Sequence, residues 1–106
     1  MTAVFVAQVN GRSVVRITGE VDAATAPRLG EALELLEGPL EVDCAQLDFI
    51  DSSGLHVLVN AAETHASVTL RNAPPMIVRL LDITGLDGVL RVDGAGDDNP
   101  SGERQR

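Results

Sequence analysis

The distribution of apolar and polar positions predicts a chain of short strands and amphipathic helices. Valine and isoleucine dominate residues 4–9 and 14–18, and Asn10-Gly11 lies between them. Asn-Gly is typical of a two-residue turn, because both positions need a positive φ that these residues tolerate. The two segments are therefore predicted to pair as an antiparallel hairpin.

The next elements carry apolar residues at helical or strand spacing. Residues 25–39 have leucine or alanine at i, i+3, i+4 and i+7 from Leu29, one stripe of an α-helix. Thr25 suits the N-cap of this helix, and Gly38-Pro39 suits its end. The remaining predicted elements are strands at 40–44, 67–71 and 88–92 and helices at 52–66 and 74–85.

The order β-β-α-β-α-β-α-β predicts an α/β fold. Strands separated by helices pair in parallel through right-handed crossovers. We therefore expect a mixed β-sheet with an antiparallel N-terminal hairpin, parallel βαβ units and helices packed on the sheet. Loops at the carboxyl ends of parallel strands share one edge. Those at 19–25 and 45–53 should thus bring together Asp22, Asp51, Ser52 and Ser53.

Charge and composition exclude several classes of function. The 106 residues include 16 acidic side chains against 8 arginines and no lysine, a net charge of -8. The arginines are isolated, so nucleic acid is not expected as a partner. Cys44 has no second cysteine to pair with, and with only His56 and His65 beside it a closed metal site is not expected. The sequence contains no glycine-rich phosphate loop, so it does not indicate a nucleotide cofactor.

The ends of the chain set the predicted domain limits. Residues 1–92 are predicted to form one domain, and residues 93–106, rich in Gly, Asp, Asn, Pro and Ser, a disordered acidic tail. The N-terminus lacks the pattern of a secretion signal, and no apolar run approaches the ~20 residues of a membrane span. The sequence thus predicts a cytoplasmic protein with no direct membrane binding, and an acidic monomer is the simplest expectation for its oligomeric state.

The segment FIDSSGLHVLV, residues 49–59, places an acid, two serines and a glycine before an apolar run. The simplest interpretation is that it starts a helix, because Asp and Ser are favoured N-caps. If Ser52 is the N-cap, Ser53 takes the first helical position with its hydroxyl free. A free hydroxyl there is a good phosphorylation site, since a helix N-terminus favours an anion. Asp22 and Asp51 would oppose the added phosphate.

A hydrolase is the catalytic alternative. Asp51, Ser53 and His56 resemble a triad, and Ser53 and His56 are one helical turn apart. The segment is not a G-x-S-x-G nucleophile elbow, and no oxyanion donors accompany it. These observations disfavour hydrolysis and indicate a surface or interface role for His56. Cys44, at a strand end, is interpreted as a small buried apolar residue.

Two further segments carry a family resemblance. TGEVDAATAPRL, residues 18–29, resembles the first signature of STAS domains. FIDSSGLHVLV resembles the second, which is the phosphoacceptor segment of bacterial anti-sigma factor antagonists. Residues 76–92 are similar to the closing helix and strand of the family, and the resemblance covers residues 4–92.

The resemblance implies a phosphorylation switch. Unphosphorylated, such a protein binds an anti-sigma factor, itself a GHKL serine kinase, and frees the sigma factor. The kinase phosphorylates the second serine, here Ser53, and the complex dissociates; a metal-dependent serine phosphatase resets the switch. No catalytic activity of its own is implied. The residues carried over as partner-binding are Asp22, Asp51, Ser52, Ser53, Gly54, Leu55 and His56.

A second interpretation shares the fold. A small STAS subunit that docks on a membrane transporter ATPase would use the serine only structurally. The intact D-S-S-G segment favours the antagonist. His56 stands where many members of the family carry a small residue such as glycine, a departure that bears on partner choice.

Overall fold

The computed structural model describes residues 2–65 and 67–93. This part of the chain forms a six-stranded sheet with three α-helices. The strands are β1 (Ala3–Val9), β2 (Arg12–Val21), β3 (Leu40–Asp43), β4 (Leu47–Ile50), β5 (Val68–Arg71) and β6 (Arg91–Asp93). The helices are α1 (Ala26–Glu34), α2 (Ser52–Thr64) and α3 (Pro75–Thr84), and a short 3-10 helix spans Leu86–Gly88.

The N-terminal hairpin is confirmed. β1 pairs antiparallel with β2 from Ala3 opposite Thr18 to Val9 opposite Arg12, without a break in register. Asn10 and Gly11 have φ values of 53° and 82°. Positive φ at both turn residues is the type I′ geometry, whose twist matches that of the flanking strands.

The predicted mixed sheet is also confirmed. The strand order is β1-β2-β3-β5-β6, and β2–β3, β3–β5 and β5–β6 are all parallel pairs. Alternate residues of β2, β3 and β5 are buried, so one face of the sheet forms the core with the helices. The fully buried residues that fill this layer include Val15, Ile17, Leu29, Val42, Leu58, Leu70, Ile77 and Leu81.

Two predicted segments differ in the structure. Residues 45–53 were predicted as a loop, yet Leu47–Ile50 form β4, which pairs in parallel with the end of β2. Residues 88–92 were predicted as a strand, whereas the 3-10 helix ends at Gly88 and β6 begins at Arg91. In β4 the two central residues are exposed and the two outer ones buried, so its pattern lacks the alternation that signals a strand.

The helices keep their predicted positions with shorter ends. α1 stops at Glu34, because Leu36 donates its N–H to the Leu33 carbonyl in a tighter turn. α3 stops at Gly85, as predicted, with the φ of 76° that a glycine tolerates. Asp93, placed in the predicted tail, is the last residue of β6; the rest of that tail, residues 94–106, lies outside the described residues.

The face of the sheet away from the helices carries paired charges. Arg12 and Arg71 both contact Glu41, Arg16 contacts Asp43, and Arg71 also contacts Asp93. The arginines are about half exposed. Exposed ion pairs contribute little each, so the ion pairs of this solvated face add little to the stability of the fold.

Asp43 is anchored on this face by two hydrogen bonds. It accepts hydrogen bonds from the Ala45 amide at 3.0 Å and from the Asn72 side chain at 3.2 Å. The Ala45 bond is the main influence that lowers the pKa of Asp43 below its ordinary value; the Asn72 bond and two nearby arginines add to it, against partial burial. The ionised form is therefore favoured in the folded state.

Asp43→Asn is expected to flatten the acid dependence of stability. A lowered pKa stabilises the fold above the unfolded pKa of about 4, and this contribution is lost as the pH falls through the folded value. The variant should be less stable than wild type at pH 7, and the difference should shrink as the pH falls below the unfolded pKa of about 4. Urea unfolding of both proteins at several pH values measures it; a difference independent of pH would contradict the expectation.

Candidate functional site

The ends of β2 and β4 bring the two predicted loops together. Val21 pairs with Ile50, and the Asp51 amide donates to the Val21 carbonyl at 3.1 Å. Asp22 follows the first of these paired residues and Asp51 the second. The residues that sequence topology predicted to converge therefore leave the sheet side by side, and it is β4, absent from the prediction, that aligns them.

Asp22 organises the turn that precedes α1. Its Oδ1 accepts from the amides of Ala24 and Thr25, at 3.0 and 3.1 Å, and from the Thr25 hydroxyl at 3.1 Å. The Thr25 hydroxyl oxygen in turn accepts from the Asp22 amide at 2.9 Å. Thr25 stands at the N-cap as predicted, but its side chain bonds back to Asp22 rather than to the helix. Asp22 thus has a structural role in addition to any partner contact.

The N-cap of α2 is Asp51; of the two residue types that the sequence favours as caps, the aspartate takes this position and Ser52 does not. Oδ1 of Asp51 accepts from the amides of Ser53 at 2.8 Å and Gly54 at 3.3 Å. Its carbonyl accepts from Leu55 at 3.0 Å. The carboxylate accepts from two orphan amides at once, and its charge also suits the positive end of the helix dipole.

Both serines consequently lie inside the first turn of α2. Ser52 is exposed and Ser53 half-buried. Because Asp51 serves as the cap, neither hydroxyl is needed to satisfy the helix N-terminus. His56 is exposed as expected, and among the described residues no hydrogen bond joins it to Ser53. The side chains therefore do not form the hydrogen-bonded relay of a hydrolase.

Gly54 sets how closely α2 approaches the sheet. A Cβ at this position would lie 2.6 Å from Cγ1 of Ile50 and 2.6 Å from Cγ1 of Val21. Leu55, the next residue, is buried in the core. Gly54 and Leu55, both predicted to contact a partner, therefore hold the first turn of α2 against β2 and β4, and the exposed neighbours Ser52 and His56 form the surface there.

An apolar groove beside Ser52 was missed by the sequence reasoning. It runs between α3 and the β4–α2 junction, where Phe49, Met76 and Ile83 are 44%, 41% and 73% exposed. We call it the α3 groove; it is lined by Phe49, Ile50, Asp51, Ser52, Pro75, Met76, Arg79, Leu80 and Ile83. A signal was available, since Met76, Leu80 and Ile83 recur at i, i+4 and i+7 and form a second apolar stripe on α3.

Among the described residues, the single cysteine is an inert buried thiol. Burial and, secondarily, the Asp43 carboxylate raise the pKa of the Cys44 thiol to about 12, so it stays protonated. This agrees with its predicted place as a small buried residue. Within residues 2–65 and 67–93, no three His, Cys, Asp or Glu side chains are grouped as metal ligands. In the same ranges, none of the helices has the length and hydropathy that a membrane span requires.

Comparison with known proteins gives the family. The family model described as Mlab, STAS domain, matches residues 4–92. An anti-sigma-B factor antagonist of Listeria monocytogenes is 32% identical over 84 residues, which cover 72% of this chain and 74% of that protein. The chain belongs to the STAS domain family, and it is related to that family's anti-sigma factor antagonists.

Solved structures agree with this assignment. The crystal structure of an anti-sigma factor antagonist from Mycobacterium paratuberculosis matches with a TM-score of 0.76 and 29% identity, covering 92% of this chain and 90% of that one. A sulfate transporter family protein from Wolinella succinogenes matches with a TM-score of 0.69 and 20% identity, over 86% and 83% of the two chains. At that identity the second likeness shows the fold alone.

Proposed function

We propose that this protein is an anti-sigma factor antagonist switched by phosphorylation of Ser53. In its unphosphorylated form it binds an anti-sigma factor that is also a GHKL-type serine kinase, and the sigma factor is released. The kinase then phosphorylates Ser53 and the complex dissociates. A metal-dependent serine phosphatase returns the protein to its binding form, and all of these steps take place in the cytoplasm.

One structural observation carries the proposal. The Asp51 carboxylate caps α2, so the hydroxyl groups of Ser52 and Ser53 are free of any capping role. In the proposed step, Oγ of Ser53 attacks the γ-phosphorus of ATP. ADP leaves, and a base of the kinase accepts the hydroxyl proton. The choice of Ser53 over the more exposed Ser52 rests on its place in the family segment.

The charges around Ser53 explain why phosphorylation would weaken, and not strengthen, partner binding. A phosphate on Ser53 would lie in the first turn of α2, where the helix N-terminus attracts it. It would also lie next to the Asp51 carboxylate, which already accepts from the Ser53 amide. Like charges there oppose each other, so phosphorylation both adds about -1.5 to -2 charge to the binding surface and strains the cap. No change of fold is needed for the partner to be lost.

The α3 groove supplies the apolar part of the proposed partner surface. It begins at Asp51 and Ser52 and continues along α3 past Arg79. An apolar groove next to charged and hydroxyl side chains suits a protein partner, because the apolar centre supplies affinity and the polar rim supplies orientation. The kinase would thus be held against the same turn of α2 that it phosphorylates.

Ile83→Glu is expected to weaken binding to the kinase about tenfold or more. Ile83 is 73% exposed, so a charge there should leave the fold intact while it places an unpaired carboxylate in the α3 groove. Leu35→Glu is the matched control, since Leu35 is 84% exposed and lies at the end of α1. Titration calorimetry with the kinase measures both; equal losses from the two variants would exclude the groove from the interface.

The transporter interpretation makes a different prediction. A STAS subunit docked on a membrane transporter ATPase would co-purify with that ATPase and would keep its function when Ser53 is replaced by alanine. The antagonist should instead be recovered with a GHKL kinase, and Ser53→Ala should abolish phosphorylation while binding is retained. Affinity purification of tagged wild type and Ser53→Ala, followed by identification of the partners, separates the two.

A further inference from the structure

The outer edge of β1 has the features of a strand that pairs with another strand. β1 is seven residues long, pairs with β2 in unbroken register and pairs with no other described strand. From Phe5 to Val9 every residue is exposed, and Phe5, Val6 and Val9 are 56%, 46% and 45% exposed. Such an edge presents unpaired N–H and C=O groups beside apolar side chains.

The hairpin determines which backbone groups face outward. Because Asn10-Gly11 is a two-residue turn, Val9 and Arg12 form the hydrogen-bonded pair that closes the hairpin. Pairs then alternate along the ladder, so Val4, Val6 and Gln8 direct their N–H and C=O groups away from β2. These three residues are the ones available to a new strand.

β1 also lacks the usual protection of an edge. Natural edge strands carry charges, proline or a bulge that prevent pairing between molecules. Ala3–Val9 contains no charged residue and no proline, in a chain whose net charge is -8. The uncharged strand is therefore a place where two copies of an acidic protein can approach without like charges meeting.

We propose that β1 is a self-association edge that pairs antiparallel with β1 of a second copy, with the two-fold axis at Val6. In this register Val6 opposes Val6 and Val4 opposes Gln8, so all outward-facing groups meet. On the other face Phe5 opposes Ala7 and Val9 opposes Ala3, each large side chain against a small one. The contact is isologous and closes as a dimer.

The dimer goes beyond the proposed function and is independent of it, since no residue of the α2 site belongs to β1. It also differs from the monomer expected from sequence. In this dimer only the two β1 strands meet, with no contact between helices of the two copies. Such a contact buries less than the 1,200 to 2,000 Å² typical of stable complexes, so the dissociation constant should be micromolar or weaker. Association is accordingly expected to depend on protein concentration.

Charge pairs at Val6 test the register directly. Val6→Glu and Val6→Lys each place like charges opposite each other, and each should raise the dissociation constant at least ~10-fold. An equimolar mixture of the two variants places opposite charges together and should restore association. Leu35→Glu, which adds the same charge at an exposed apolar site elsewhere, should associate as wild type does.

Sedimentation velocity of each protein from about 10 μM to 1 mM is the measurement, with circular dichroism to confirm the fold. Gln8→Pro is a second probe, because it removes an outward backbone N–H without removing a backbone hydrogen bond to β2. The side-chain bond from Gln8 Nε2 to Ser13 Oγ, 2.9 Å, is lost as well, so circular dichroism of this variant is part of the test. Gln8→Pro should also weaken association. A wild type that stays monomeric throughout, a mixture no better than the separate variants, or an equal loss in Leu35→Glu would each overturn the proposal.

Discussion

Phosphorylation of Ser53 is expected to weaken the complex with the GHKL-type kinase by about 100-fold or more. The added phosphate lies in the first turn of α2, on the residue whose amide donates to the Asp51 carboxylate, and the exposed residues Ser52 and His56 belong to the same start of the helix. If the partner covers this turn, a group of about -1.5 to -2 charge must be desolvated without a matching cation. A loss of a few kcal/mol follows, and about 1.4 kcal/mol corresponds to a tenfold change in affinity.

Titration calorimetry of the phosphorylated and unphosphorylated proteins with the same kinase, held with a non-hydrolysable nucleotide, measures the effect. Ser53→Ala is the control for the loss of the hydroxyl, and it should bind within about threefold of wild type. Ser52→Ala should behave as wild type in both binding and phosphorylation. Equal affinities of the two phosphorylation states would contradict the proposed switch, even if Ser53 is a good kinase substrate.

Gly54→Ala is expected to lower the free energy of unfolding by about 1 to 3 kcal/mol. The new Cβ would lie 2.6 Å from atoms of Val21 and Ile50, both of which are buried and cannot move aside freely. α2 would have to shift outward from β2 and β4. That shift would also displace the cap at Asp51 and the two serines, so partner binding should weaken in proportion.

Gly30→Ala is the matched control, because Gly30 is also within a helix but has room. Its Cβ would lie 3.7 Å from the nearest atom, Cγ1 of Val57, which is an ordinary contact. Alanine is favoured over glycine in a helix by up to about 1 kcal/mol, so this variant should be neutral or more stable. Urea unfolding of the three proteins provides the comparison; similar losses in both variants would show that close packing at Gly54 is not the cause.

The fold was predictable where the pattern of residues has a local cause. The Asn10-Gly11 turn specifies the hairpin through its positive φ angles, and Gly85 specifies the end of α3 in the same way. Parallel pairing followed from the alternation of strands and helices. β4 escaped prediction because it has only four residues and because its two central residues, Asp48 and Phe49, are both exposed, so exposed and buried positions do not alternate. Phe49 lines the α3 groove.

The candidate site was predictable in its location but not in its hydrogen bonding. Topology alone placed Asp22, Asp51 and the serines at one edge. The capping role could not be assigned, because Asp and Ser are almost equally favoured as N-caps. Whether Asp51 or Ser52 caps α2 depends on how the chain passes from β4 into the helix. The α3 groove depends on residues far apart in the sequence, so its assembly required the tertiary structure.

The cap and the phosphoacceptor are neighbours in a way that bears on function. The Asp51 carboxylate stabilises the start of α2, and the backbone amide of Ser53 is one of the two that donate hydrogen bonds to it. A phosphate on Ser53 therefore competes with the Asp51 carboxylate for the amides at the start of α2. This coupling allows one modification to alter both the charge and the local rigidity of the partner surface.

Phosphorylation of Ser53 can be measured by incubating the protein with ATP and each GHKL-type kinase of its own cell, followed by intact-mass and fragment mass spectrometry. We expect one added phosphate, mapped to Ser53, in wild type and Ser52→Ala and none in Ser53→Ala. No phosphate from any of these kinases on a folded protein, or a phosphate mapped to Ser52, would contradict it.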